Sequence, residues 1–269
     1  MTDASAIKTV GVLGAGQMGG GIAQVASTAG YDVRLCDANL ELAQKGVAKI
    51  DAILKKQVEK GKLDAATQQG IVSRIRPIAT PADFKDCDIV VEAATENVDL
   101  KLKLFRQCDE ALRPGAWLAS NTSSISLTRL AASTSRPDRV VGLHFMNPPP
   151  LMKLVELVRA VQTSDETYAL AKALAEKMGK TVVTSKDSPG FLVNRMLIPM
   201  LCEAIFALEQ GLGTPEDIDT GAQLGLNHPM GPLRLADLIG LDTVLFISEV
   251  LHRDFGDSKY RAPTLLRNL

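Results

Sequence analysis

The sequence is short of most features that would place it in a specialised class. It holds only three histidines, four cysteines and one tryptophan in 269 residues, and aromatic residues make up 4%. The cysteines, Cys36, Cys87, Cys108 and Cys202, are scattered, with no Cys-x-x-Cys pair and no Cys/His cluster spaced to hold zinc. No metal is expected, and the thiols read as buried and reduced. No apolar run approaches the ~20 residues that span a bilayer, and Met1-Thr2-Asp3-Ala4-Ser5 lacks the basic and apolar segments of a signal peptide. A cytoplasmic location without a membrane partner is therefore expected. Charge of one sign is missing too: 30 Lys plus Arg stand against 31 Asp plus Glu, so no global field draws the chain to nucleic acid. An anionic ligand must be met by a local site.

What is present is an ordinary globular composition, with 46% hydrophobic and 23% charged residues, enough to bury a substantial core. The length suggests two domains. Thr9-Val10-Gly11-Val12-Leu13 is an apolar run that stops at glycines, and an amphipathic stretch from Gln17 to Ala29 follows. Gly30 then ends that helix before a second strand-like run, Tyr31 to Cys36. The result is a β-α-β unit. Leu40 to Lys62 and Asp64 to Ile75 predict a helical hairpin that projects from the sheet. Apolar runs recur at Ile75–Ala79, Asp88–Ala93, Ala116–Ala119 and Val140–His144 between helical or loop segments, with further strands expected at Lys153–Val161 and Thr181–Val183 and a helix at Glu166–Met178. Such alternation predicts an α/β fold with a doubly wound, mainly parallel sheet. After Asp187-Ser188-Pro189-Gly190 only helical patterns remain, broken near Gly211–Pro215, His228–Pro232 and Gly240. The expected domains are 1–187, dinucleotide-binding, and 188–269, a smaller all-α unit serving the substrate cleft and dimerisation.

Gly14-Ala15-Gly16-Gln17-Met18-Gly19 fits G-x-G-x-x-G between the first strand and the first helix. There Gly14 permits the turn, Gly16 lets the backbone approach a pyrophosphate, Gly19 allows close helix packing, and the helix N-terminus offers N–H groups to the phosphates. Asp37 closes the second strand near the ~20-residue distance expected of the acid that binds the adenine ribose, the favoured reading over a cap for the helix from Leu40. A carboxylate at Asp37, with no arginine among the neighbours Ala38, Asn39 and Leu40 to offset it, favours NAD over NADP.

His144 ends the run Val140-Val141-Gly142-Leu143, and Glu156 lies inside the apolar run Lys153-Leu154-Val155-Glu156-Leu157-Val158. A histidine at the carboxyl end of a strand can take the proton of an alcohol as hydride leaves, and a buried acid needs a partner. From composition alone, His144 as a structural histidine and Glu156 as the partner of a lysine remain open.

The stretches Val91-Glu92-Ala93-Ala94-Thr95-Glu96-Asn97, Ser120-Asn121-Thr122-Ser123-Ser124, Gly142-Leu143-His144-Phe145-Met146-Asn147-Pro148, Asp187-Ser188-Pro189-Gly190-Phe191 and Asn227-His228-Pro229-Met230-Gly231-Pro232 resemble the L-3-hydroxyacyl-CoA dehydrogenase family, in particular its bacterial 3-hydroxybutyryl-CoA branch. The resemblance covers nearly the whole chain. It implies a homodimer acting on acyl-CoA with NAD, with His144 as general base, Glu156 as its orienting carboxylate, and Ser123 and Asn194 bonded to the reacting oxygen. It further implies Glu96, Lys101, Ser123 and Asn147 at the nicotinamide half of the cofactor. Gly14, Gly16, Gln17, Met18, Gly19 and Asp37 fall to the adenosine and phosphate half. Lys56, with Lys55 and Lys60 beside it, becomes a candidate for the CoA phosphates. The alternative readings are Ser123 as the cap of a helix near Ile125 and Asn194 as a turn residue after Pro189-Gly190. Family members usually run on into a glycine-rich C-terminal segment, whereas this chain stops at Leu269. Rival expectations are a 3-hydroxyadipyl-CoA dehydrogenase, a dehydrogenase of a free sugar acid such as gulonate, and a non-catalytic NAD-binding protein.

Overall fold

A computed structural model describes residues 7–269 of the chain. The chain divides into two compact units, the first ending at Asp187 and the second being Ser188–Leu269.

The first unit is built on one eight-stranded sheet of order β3-β2-β1-β4-β5-β6-β7-β8. Its strands are β1 Thr9–Leu13, β2 Asp32–Cys36, β3 Ile75–Ile78, β4 Ile89–Glu92, β5 Trp117–Ser120, β6 Val140–Phe145, β7 Leu154–Arg159 and β8 Thr181–Lys186. The helices between them are α1 Gln17–Thr28, α2 Leu40–Glu59, α3 Ala65–Ser73, α4 Val98–Ala111, α5 Leu127–Ala131 and α6 Asp165–Lys177. Every strand of β1, β4 and β6 is buried along its length, as expected of parallel strands covered on each face. The predicted mainly parallel, doubly wound sheet is thus the fold found.

Pairing is parallel throughout except between β6 and β7, which run antiparallel. Strands β1 to β3 extend one way and β4 onward the other, so the order reverses between β1 and β4. At such a reversal the loops beyond the strand ends part and leave a crevice, the usual place for a ligand in this class of sheet.

The predicted hairpin is present as α2 and α3. Asn39 caps α2 by accepting from the Leu42 backbone N–H, and Ala43, Gly46, Ile50 and Leu54 repeat at helical spacing along its buried face. Burial of that stripe, rather than propensity, holds the helix on the sheet.

In the second unit the described residues form helices only: α7 Val193–Glu209, α8 Pro215–Thr220, α9 Pro232–Ile239, α10 Leu241–Phe255 and α11 Thr264–Asn268. Its own core contains Ile198, Leu201, Cys202 and Ile205 from α7 with Val244, Ile247 and Leu251 from α10. Proline at the first turn of α8 and α9 and positive φ at Gly211, Gly240 and Gly256 mark the breaks between helices.

Candidate active site

The glycine loop closes the gap between β1 and α1. Gly14 has φ +109°, and a Cβ there would lie 2.5 Å from the Ala93 carbonyl oxygen; one on Gly19 would lie 1.8 Å from the oxygen of Gly14. Only glycine fits at those two positions, whereas the space beside Gly16 is open to 4 Å, which leaves its backbone accessible. Helix α1 begins without a side-chain cap or an acidic residue in its first turn, so its N-terminal N–H groups and dipole suit an anion.

Asp37 is not a helix cap. One carboxylate oxygen accepts from the Ala15 N–H at 2.5 Å and the other from the Ala38 N–H at 2.7 Å, while Asn39 caps α2. The carboxylate therefore braces the glycine loop and faces a cavity of about 530 Å³ lined in part by Gly14, Gly16, Ala94, Thr95 and Leu100. A glycine cradle, an uncapped helix start and an acid at the rim match a dinucleotide's pyrophosphate and adenine ribose.

The next two strand ends carry a buried polar network. Glu92 at the end of β4 is 2% exposed, and its carboxylate accepts from Lys101 Nζ at 2.6 Å, from Ser120 Oγ at 2.7 Å and from the Ala94 N–H at 2.7 Å. Lys101 also donates to the Ala94 carbonyl, and is itself only 1% exposed. Ser120 Oγ in turn accepts from the Thr122 N–H; Thr122 Oγ1 and the Ser123 N–H donate to Glu96 at 2.8 Å each. One chain of hydrogen bonds thus locks the loop after β4, which carries Glu96, to the loop after β5, which carries Ser123. Ser123 does not cap α5; Ser126 does, accepting from the Arg129 N–H.

His144 and Glu156 face each other directly across the antiparallel β6–β7 pair. His144 Nδ1 lies 3.0 Å from Glu156 Oε2, with His144 7% and Glu156 0% exposed. A carboxylate there accepts from Nδ1–H and so places the lone pair on Nε2, the tautomer that can take a proton. Asn121 Oδ1 accepts from the Phe145 N–H at 2.9 Å and pins the strand end beside His144. In the connection after β6, Asn147 Oδ1 accepts from Gln17 Nε2 at 2.9 Å, tying that connection to the start of α1. Met18 is half-buried and packs on the sheet core.

Asn194 belongs to the second unit, in the first turn of α7 rather than in a turn. Lys55 is paired with Asp51 on α2, and Lys56 and Lys60 are exposed. A groove of about 450 Å³ between α1, α2 and the connection after β6 is lined instead by Lys49, Ile53 and Gln57 of α2, with Gln24 of α1 and Pro150. Those α2 residues recur every four positions, so the helical period could have found them. Gly46 lets α2 approach: a Cβ there would lie 2.7 Å from Ala15 Cβ.

Known proteins resemble this chain in sequence and fold. A family model described as 3-hydroxyacyl-CoA dehydrogenase, NAD binding domain, matches residues 9–188, and one for that family's C-terminal domain matches residues 190–269. A 3-hydroxybutyryl-CoA dehydrogenase of Bradyrhizobium diazoefficiens is 50% identical over 98% of this chain and 90% of its own. One from Clostridioides difficile is 44% identical over 96% and 92%. The crystal structure of (S)-3-hydroxybutyryl-CoA dehydrogenase from Ralstonia eutropha superposes with a TM-score of 0.94 at 51% identity, covering 97% of this chain and 93% of that one.

Proposed function

The chain belongs to the 3-hydroxyacyl-CoA dehydrogenase family, and from that premise we propose that this NAD-dependent dehydrogenase interconverts (S)-3-hydroxyacyl-CoA and 3-ketoacyl-CoA, with a short-chain ester such as 3-hydroxybutyryl-CoA as substrate. The observation that carries the catalytic part is the buried His144–Glu156 pair at 3.0 Å. NAD, when bound, supplies the acceptor for the hydride that leaves carbon 3. His144 Nε2 takes the hydroxyl proton at the same time, and Glu156 holds the ring's orientation and stabilises the imidazolium that forms. Ser123 serves as a hydrogen-bonding group for the reacting oxygen, and Glu96, Ser123 and Asn147 orient the nicotinamide half. Gln24, Gln57, Ile50 and Ile53 give the α1–α2 groove amides on apolar walls, a match for the alternating amides and methylenes of the pantetheine arm. Lys49 at the groove, with Lys56 on the same helix, can meet the CoA phosphates.

NADH consumption tests this reading, with acetoacetyl-CoA run beside free acetoacetate. Turnover of the ester alone is expected, because the remote CoA contacts fix the 3-carbon for transfer. Equal turnover of the free acid would favour a free-acid dehydrogenase, and binding of NADH with no turnover of either compound would leave a non-catalytic protein.

Among the described residues no helix is long and apolar enough to cross a membrane. The four cysteines are free and buried, which suits a reducing, cytoplasmic setting. The protein works as a homodimer joined through its helical unit, where Met196, Leu238 and Phe246 are 63%, 71% and 46% exposed. Sedimentation is expected to give twice the 28.8 kDa chain mass, and Leu238→Glu to shift the species toward monomer. A wild-type monomer at micromolar concentration would remove the proposal.

A further inference from the structure

Three consecutive prolines, Pro148, Pro149 and Pro150, occupy the β6–β7 connection. They supply no backbone N–H, so this segment can contribute little to holding itself in place. The Leu151 and Met152 N–H groups donate to the Pro148 carbonyl at 3.0 and 3.1 Å, and those bonds leave the carbonyls of Pro149 and Met152 to another donor. Each accepts from Lys180 Nζ, at 2.6 and 2.8 Å.

Lys180 stands between α6 and β8, directly after Gly179 with its φ of +74°. It is 8% exposed, and among the described residues no carboxylate pairs with it. Burial accordingly pushes its pKa below the ordinary lysine value. An ammonium out of water costs several kcal/mol unless hydrogen bonds offset it, and here the offset comes from two carbonyls of the connection. The Thr181 N–H adds a bond to the Lys153 carbonyl at 2.8 Å, at the far end of the same segment. On its other face the connection presses on α1: a Cβ at Gly21 would lie 2.8 Å from Pro149 Cδ, and Gln17 bonds Asn147.

We propose that Lys180 is a positioning residue, a buried ammonium clamp that sets the β6–β7 connection against α1 and so fixes Asn147 and the Pro148–Leu151 wall of the groove. Lys180 lines neither the groove nor the cavity beside Asp37. His144 and Glu156 are held opposite each other by the β6–β7 pairing, and Glu156 also by β8 opposite Val183, so loss of the clamp loosens binding and leaves the proton-transfer pair aligned. The assignment of the groove to acyl-CoA rests on the reading above; the clamp itself does not.

Lys180→Met and Lys180→Gln are made side by side, so that one folded variant suffices, and are assayed well below the melting midpoint. The expected result is a rise of about tenfold in KM for acetoacetyl-CoA with kcat within about threefold of wild type. NADH, titrated by its own fluorescence, is expected to bind about threefold more weakly through the displaced Asn147. A lowered melting temperature with KM and NADH affinity unchanged would reduce Lys180 to a stability residue, and a fall in kcat at constant KM would place its effect on the chemistry; either overturns the clamp. If wild type does not turn over acetoacetyl-CoA, the substrate reading fails by itself and the NADH titration still decides the role of Lys180.

Discussion

His144→Ala is expected to lower kcat by about 10² to 10⁴ while NADH affinity stays within about threefold. Oxidation of a secondary alcohol leaves a proton that must go somewhere as the hydride departs, and water at neutral pH is a poor acceptor. The imidazole is poised for the task by the Glu156 carboxylate 3.0 Å from Nδ1. The cavity that matches the adenosine half is lined by Gly14, Asp37 and Ala94 among others, with no contribution from His144. Cofactor binding should therefore survive. Glu156→Gln keeps a hydrogen-bonding group on β7 but removes the charge that stabilises imidazolium, so a smaller loss, on the order of 10 to 10²-fold, is expected. Single-turnover hydride transfer, with NADH titration as control, separates the steps. Normal turnover in His144→Ala would remove that residue from the mechanism.

Much of this site can be read from local sequence, because the features involved are local. A glycine loop between a strand and a helix, with an acid closing the next strand, is a contiguous pattern set by backbone sterics, and the structure places Gly14, Gly19 and Asp37 accordingly. Strand alternation gave the parallel sheet for the same reason. The direction of β7 is another matter. Side-chain period is identical for parallel and antiparallel neighbours, so nothing in Leu154–Arg159 announces that it reverses and sets Glu156 opposite His144. Lys180 was equally silent: a lysine just beyond a helix end normally reads as solvated and favourable to the helix dipole. Its burial depends on carbonyls from a segment far away in the chain. Lys49 and Gln57 differ again, since their shared helical face was visible in the spacing and only the existence of the groove was not.

Lys101→Met is expected to cost about 3–5 kcal/mol of stability, or roughly 6–20 °C in melting temperature, because it strands the Glu92 carboxylate in a site that is 2% exposed. Glu92 would keep the Ser120 hydroxyl and the Ala94 N–H, which hydrogen-bond it but do not neutralise it. Glu92→Gln strands the ammonium instead, and the double variant should lose less than the sum of the two single losses, since neither charge is then left alone. Cofactor affinity separates two roles for Lys101. If its ammonium acts through the loop, holding Ala94 and hence Glu96 against Thr122 and Ser123, then Lys101→Met and Glu92→Gln should weaken NADH binding by similar factors, about tenfold each. If Lys101 instead turns to touch the cofactor, its removal should weaken binding much more than Glu92→Gln does. The first outcome is expected, because leaving Glu92 would forfeit a buried 2.6 Å ion pair that a contact with a solvated ligand cannot replace.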